Sequence, residues 1–206
     1  MDGANARSDG EDMSSGPPYS AAPTNGANYN KRIRAKGSWQ GAMRTTVTLR
    51  GFEYDIDEPS VVGGTDTAPT PMEYVIGALN GCVSVVVEQV AKELGFPFSR
   101  LETYSIATQD TRGFAGTADV SPYFHSCRLE IHVETQITDA AVHIELLSRV
   151  NQRCPAINLI EAAIVDLDIH WVFDAQLRPN SAEDACNAAL GYTPKAVKVD
   201  KSGAVL

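Results

Sequence analysis

The chain has no run of about 18 consecutive apolar residues, so no membrane span is expected. Basic residues are scarce. Against 26 Asp and Glu stand 17 Lys and Arg, a net charge of −9. A nucleic-acid binder needs cationic side chains to displace phosphate counterions, so that class is excluded. No Gly-rich phosphate loop of either common type occurs, which leaves nucleotide-dependent chemistry without support. Cysteine is limited to four residues without framework spacing. A domain of roughly 140 to 170 residues buries about two thirds of its unfolded surface and needs no disulfide or metal framework. The thiols are free for chemistry and suit a reducing compartment, so a cytosolic protein is expected.

What is there suits one domain with tails: 206 residues, 43% hydrophobic and 21% charged. Residues 1–34 read as a disordered tail, since the first 30 carry Asp2, Asp9, Glu11 and Asp12 against Arg7 and almost no large apolar side chain. They lack the apolar region of a secretory signal, and their acidity argues against a mitochondrial transit peptide. From Ser38 onward, Val47 and Leu49, then Phe52, Tyr54 and Ile56 after a turn at Arg50-Gly51, predict an N-terminal hairpin. A turn-rich loop follows, and the period then changes. Val75, Ile76, Leu79, Cys82, Val83, Val86, Val87, Val90 and Leu94 recur at helical spacing up to Gly95 and Pro97. A strand through Tyr104 and Ile106 and a turn-rich stretch at 110–113 come next.

The strand Cys127 to Glu134 alternates Cys127, Leu129, Ile131 and Val133 against Arg128, Glu130, His132 and Glu134, so one face is expected to be wet. Helices are expected after Thr138-Asp139, with Val142, Leu146, Leu147 and Val150, and after Cys154-Pro155, with Leu159 and Ala163. A strand from Val165 to Phe173 and a short helix from Ser181 to Leu190, ending at Gly191, complete the order, followed by an acid-and-lysine tail. The class is α+β with a mainly antiparallel sheet.

The cysteines divide by position. Cys127 lies on the apolar face of a strand, and Cys186 lies between Ala182 and Leu190 on a helix; both read as packing. Pro155 at a first helical position puts Cys154 at an N-cap, where amides and the helix dipole favour a thiolate, with Arg153 adding charge. Chemistry and capping are both open there. Cys82 sits inside an apolar helical stripe and by itself reads as core, but the small residues Gly77, Ala78, Asn80 and Gly81 before it allow close approach by another segment or chain.

The stretch GGTDTAPTPMEYVIGALNGCVSVVV, then DTRGF and SPYF, then Arg153-Cys154-Pro155 with Leu159, resembles the OsmC/Ohr family of thiol peroxidases and related proteins over residues 35–173. That leaves 174–206 as a C-terminal extension with a short helix. The resemblance implies an OsmC-like fold with a long central helix, built as an intertwined homodimer. It implies Cys82 as the peroxidatic cysteine and Cys154 as the resolving one. The substrate would be an organic hydroperoxide, and a dithiol, a lipoyl protein or another thiol, would be the reductant. No cofactor or metal is implied.

The family also uses an arginine of the N-terminal hairpin and a glutamate near the start of the central helix. Arg44 is the better positional match, Arg50 the poorer, and a solvated strand charge is the alternative. The acid departs from the peroxidase pattern: Met72 follows Pro71, and Glu73 comes one later, as in the less characterised OsmC-like branch. At about 100° and 1.5 Å per residue, Glu73 and Cys82 are half a turn out of phase and roughly 13 Å apart along a helix. They do not touch within it. A small-ligand binding protein or a slow redox sensor on the same fold are therefore rival readings. Glu130, His132 and Glu134, and His170 near Asp166 and Asp168, read as solvated sheet faces rather than metal ligands.

Overall fold

The computed structural model describes residues 29–191. The expected acid-and-lysine tail and most of the expected N-terminal tail lie outside them. β1 (Lys36–Gly41), β2 (Arg44–Leu49) and β3 (Phe52–Ile56) form one antiparallel sheet. The expected hairpin is β2–β3, with Leu49 opposite Phe52 across the turn. β1 adds a third strand. Its turn places Ala42 and Met43 at positive φ (44° and 65°), residues that give no turn signal in sequence.

The link from β3 to the central helix α1 (Pro71–Leu94) is organised by Asp57, which is fully buried. Its carboxylate accepts hydrogen bonds from the Glu58 amide and from the amides and hydroxyls of Thr65 and Thr67. These bonds, the Thr65 hydroxyl foremost, hold its carboxyl far below the ordinary range. A side chain at Gly64 would sit 1.7 Å from the Glu58 carbonyl oxygen, so only glycine fits that turn.

α1 begins in a capping box. Thr70 Oγ1 accepts from the Glu73 amide, Glu73 returns a carboxylate to the Thr70 amide, and Pro71 takes a first-turn position. Gly95 ends the helix in the left-handed region. Leu79, Val83, Val86, Val87 and Val90 are buried together with Leu129, Ile131 and Val133, so packing stabilises a valine-rich helix of poor intrinsic propensity. By length and composition alone α1 also passes the test for a membrane span, with a mean hydropathy of 1.5 over its best 18 residues. A third of that window is buried inside the fold.

β4 (Arg100–Gln109), β5 (Phe124–Glu134) and β6 (Asp166–Asp174) form the second sheet. β4–β5 is antiparallel and β5–β6 parallel, the latter reached through α3 (Ala140–Arg153) and α4 (Pro155–Ala162). The turn-rich stretch after Asp110 closes into the short helix α2 (Thr111–Ala115), capped by the Asp110 carboxylate. α5 (Ser181–Leu190) packs on β4 and β5.

α5 overturns the expected wet face. Glu130 and His132 are 2% and 4% exposed. His132 Nδ1 lies 3.0 Å from Ser181 Oγ on α5, and its Nε2 lies 3.2 Å from Glu130 Oε2. Arg128 joins Glu130 to Asp168, and Glu102 accepts from the Ser181 hydroxyl and the Asn180 and Ala182 amides at the helix start. Glu130 and His132 thus belong to a satisfied polar layer under the last helix, whereas Asp166 and Asp168 on β6 stay exposed, as a solvated sheet face requires. Leu159 also departs from expectation: α4 buries Ile157 and Ile160 and leaves Leu159 exposed.

Candidate active site

α4 packs on α1, and this contact brings Cys154 to Cys82 from 72 residues away. The two sulfurs are 3.7 Å apart, with the Cys154 thiol donating to Cys82 Sγ. Both are free thiols. Cys82 is half-buried in mid-α1; Cys154 is fully buried.

Cys154 occupies an elbow. Its backbone N–H closes α3 on Val150 O, its φ and ψ of −74° and 111° turn the chain, and it is at once C-cap of α3 and N-cap of α4. The sequence favoured a thiolate there. The balance runs the other way: burial pushes the Cys154 thiol up, the Ile157 amide at the helix start pulls against it, and donation to Cys82 raises it again. Nor does Arg153 add its charge freely. Its guanidinium forms a two-pronged pair with Glu93 of α1, at 2.5 and 2.9 Å, and holds that carboxyl below its ordinary value.

The asymmetry of the pair is chemically useful. The buried Cys154 thiol keeps its proton and points it at the neighbouring sulfur. Cys82 is also the more accessible of the two.

The structure does not bring Arg44 and Glu73 to this pair within one chain. Arg44 Nη2 bonds Asp55 at 2.5 Å, and Thr46 shares that carboxylate. Its Nε is a buried N–H without an acceptor among the described residues. Glu73 is held in the capping box. Cys127 and Cys186 are buried elsewhere in the fold; burial pushes the Cys127 thiol up to about 11 and raises Cys186 too.

A separate cleft of about 1290 Å³ opens between the first half of α1, β4 and α2, lined by Met72, Ile76, Tyr104, Ile106, Phe114 and Phe124. Neither Cys82 nor Cys154 lines it. The rival ligand-binding reading expects an apolar cleft, but no sequence pattern locates this one, because its walls come from segments distant in the chain.

Among curated proteins, none matches the chain. Solved structures do. An OsmC-like protein from Mycoplasma pneumoniae superposes with a TM-score of 0.61 at 14% identity, covering 70% of this chain and 99% of its own. An organic hydroperoxide resistance protein from Elizabethkingia anophelis gives 0.51 at 14% identity, covering 73% and 100%. An organic hydroperoxide resistance protein OsmC from Legionella pneumophila gives 0.50 at 16%, covering 70% and 97%. At these identities the likeness speaks for the fold. A sequence model described as OsmC-like protein matches residues 64–169, just over half of the 206 residues and inclusive of both facing cysteines. The chain belongs to the OsmC-like protein family.

Proposed function

We propose that the protein reduces organic hydroperoxides through Cys82 and Cys154. The observation that carries this reading is the pair of free sulfurs 3.7 Å apart, with the buried thiol donating to the accessible one. The Cys82 thiolate attacks one oxygen of the O–O bond; that bond breaks, the alcohol leaves with a proton, and Cys82 becomes a sulfenic acid. The Cys154 thiolate then attacks the sulfenic sulfur. An S–S bond forms, the S–O bond breaks, and hydroxide leaves as water. A dithiol reduces the disulfide and is itself oxidised to one.

The proposed assembly is a homodimer. Its support is the first sheet, which leaves Trp39 and Phe52 exposed and carries in Arg44 an N–H without an acceptor. In such a dimer the Arg44 of one chain is the group proposed to support the thiolate of the other. Glu73 would have to leave its capping box to take the acidic role that the resemblance implies.

The test is peroxide consumption. Purified protein with cumene hydroperoxide and a dithiol should turn over, and Cys82→Ser should lower the rate at least a hundredfold. Consumption that survives Cys82→Ser unchanged sinks the reading.

A second reading, binding of a small apolar ligand, is favoured by the cleft of about 1290 Å³ away from the sulfurs. It requires ligand affinity that Cys82→Ser leaves intact, and a Cys154→Ser protein that forms no trappable sulfenic acid on Cys82 after one equivalent of hydroperoxide.

A further inference from the structure

The elbow that carries Cys154 has a donor problem. A helix continuing past residue 154 would use the N–H of residue 155 on the Asn151 carbonyl. Residue 155 is proline and has no N–H. Cys154 gives α4 no side-chain cap either. The missing donor comes from Asn158, one turn into α4. Its Nδ2 lies 2.9 Å from Asn151 O, 2.9 Å from Cys154 O and 3.4 Å from Gln152 O. Only the amide nitrogen suits a position facing carbonyls on every side, which fixes the orientation of the group. One half-buried side chain therefore ties the last turn of α3 to the carbonyl of the cysteine that follows it.

We infer that Asn158 is a positioning residue for the resolving step: by clamping the α3–α4 elbow it holds Cys154 Sγ at attack distance from Cys82. The inference rests on the reading of these two cysteines as a redox pair. In that step the Cys154 thiolate displaces hydroxide from the Cys82 sulfenic sulfur, and the peroxide already consumed is the oxidant. The sulfurs must close from 3.7 Å to about 2.05 Å, a short path only while the elbow stays fixed. Loosening it spreads Cys154 over other positions and lowers its effective concentration. The attack of Cys82 on peroxide makes and breaks no covalent bond to an atom of the elbow.

Two variants of the full chain test this. Asn158→Ala removes the amide. Asn158→Asp keeps the shape, removes the donor and sets a carboxylate against the same three carbonyl oxygens. Each reduced protein receives one equivalent of cumene hydroperoxide, and quenched samples are assayed by mass spectrometry for dimedone-trapped Cys82 and for the Cys82–Cys154 disulfide. Sulfenic acid formation should stay within about twofold of the parent, while disulfide formation falls at least tenfold and trapped Cys82 accumulates. Disulfide formation within twofold of the parent in both variants overturns the inference. So does an equal slowing of both steps in Asn158→Asp, which marks a merely structural role.

Equilibration with dithiothreitol separates this outcome from the peroxidase reading, because it needs no peroxide. The parent disulfide should be at least tenfold harder to reduce than that of either variant, and equal midpoints overturn the inference. A parent protein that never forms sulfenic acid sinks the peroxidase reading and leaves this titration to decide on Asn158.

Discussion

At the scale of single residues, the contrast between the four thiols sets the reactivity. Cys154 is enclosed and raised by burial, while Cys82 receives its proton in a hydrogen bond and retains a path to solvent. Below its pKa, a thiol's ionised fraction rises tenfold per pH unit. The resolving step needs the Cys154 thiolate, whose pKa lies above its ordinary value, so single-turnover disulfide formation should accelerate from pH 6 to 8 by a factor approaching a hundred. Stopped-flow followed by acid quench measures it; a flat profile would mean that Cys154 deprotonation does not limit the step. The other two thiols supply a control. Burial holds Cys127 neutral up to about pH 11, so iodoacetamide at pH 8 should label Cys82 first and Cys127 last. Mass-spectrometric mapping that finds Cys127 labelled as fast as Cys82 would contradict this order.

At the scale of elements, α1 is held by its ends and its buried stripe. Glu73 belongs to the first of these as the N3 partner of Thr70, so Glu73→Ala should cost about 0.3–1.5 kcal/mol, lower the Tm by a few degrees, and change the peroxide step by less than threefold. A large loss of peroxide reduction with an unchanged Tm would return Glu73 to a catalytic role. The sequence made α1 legible because its signals are local: helical spacing of valines, with Gly95 and Pro97 closing the run, while the Thr70–Glu73 capping box emerges only in the structure. The pairing of Cys82 with Cys154 was legible only through the resemblance, since no local pattern brings residues 72 positions apart into contact. Glu130 and His132 misled for a physical reason. Alternation with Leu129 and Ile131 puts them on the far face of β5, but whether that face meets water depends on α5, some 50 residues on. Asn158 gave only a faint signal, an amide one turn after a Cys-Pro pair. The strand β1 was hidden because Ala42 and Met43 adopt the left-handed turn that Asn or Gly would have announced.

At the scale of the molecule, the two sheets are unequal. The β4–β6 sheet has α1 against one face and α5 against the other, whereas in the β1–β3 sheet only Val47 is buried, and it is still 9% exposed. A three-stranded sheet gains independent stability by packing an apolar face, and this one leaves Trp39 76% and Phe52 63% exposed. α1 adds to the uncovered surface with Val75 and Val85, next to the small residues Gly77 and Gly81, where a side chain would meet nothing within 4 Å. Burying a large apolar side chain is worth about 1.5–3 kcal/mol, so a few such residues on each of two chains supply a substantial part of an association energy. The proposed homodimer follows from that uncovered area, and it predicts a sedimentation-equilibrium mass of twice the single chain at micromolar concentration. Trp39→Asp with Phe52→Asp should shift the protein to monomer while the β4–β6 sheet and its helices remain folded by circular dichroism. If Arg44 supports the thiolate of the other chain, the same double variant should slow peroxide reduction at least tenfold even though Cys82 and Cys154 still face each other. A parent protein that sediments as a single chain and reduces peroxide at full rate would show that one chain holds the whole site.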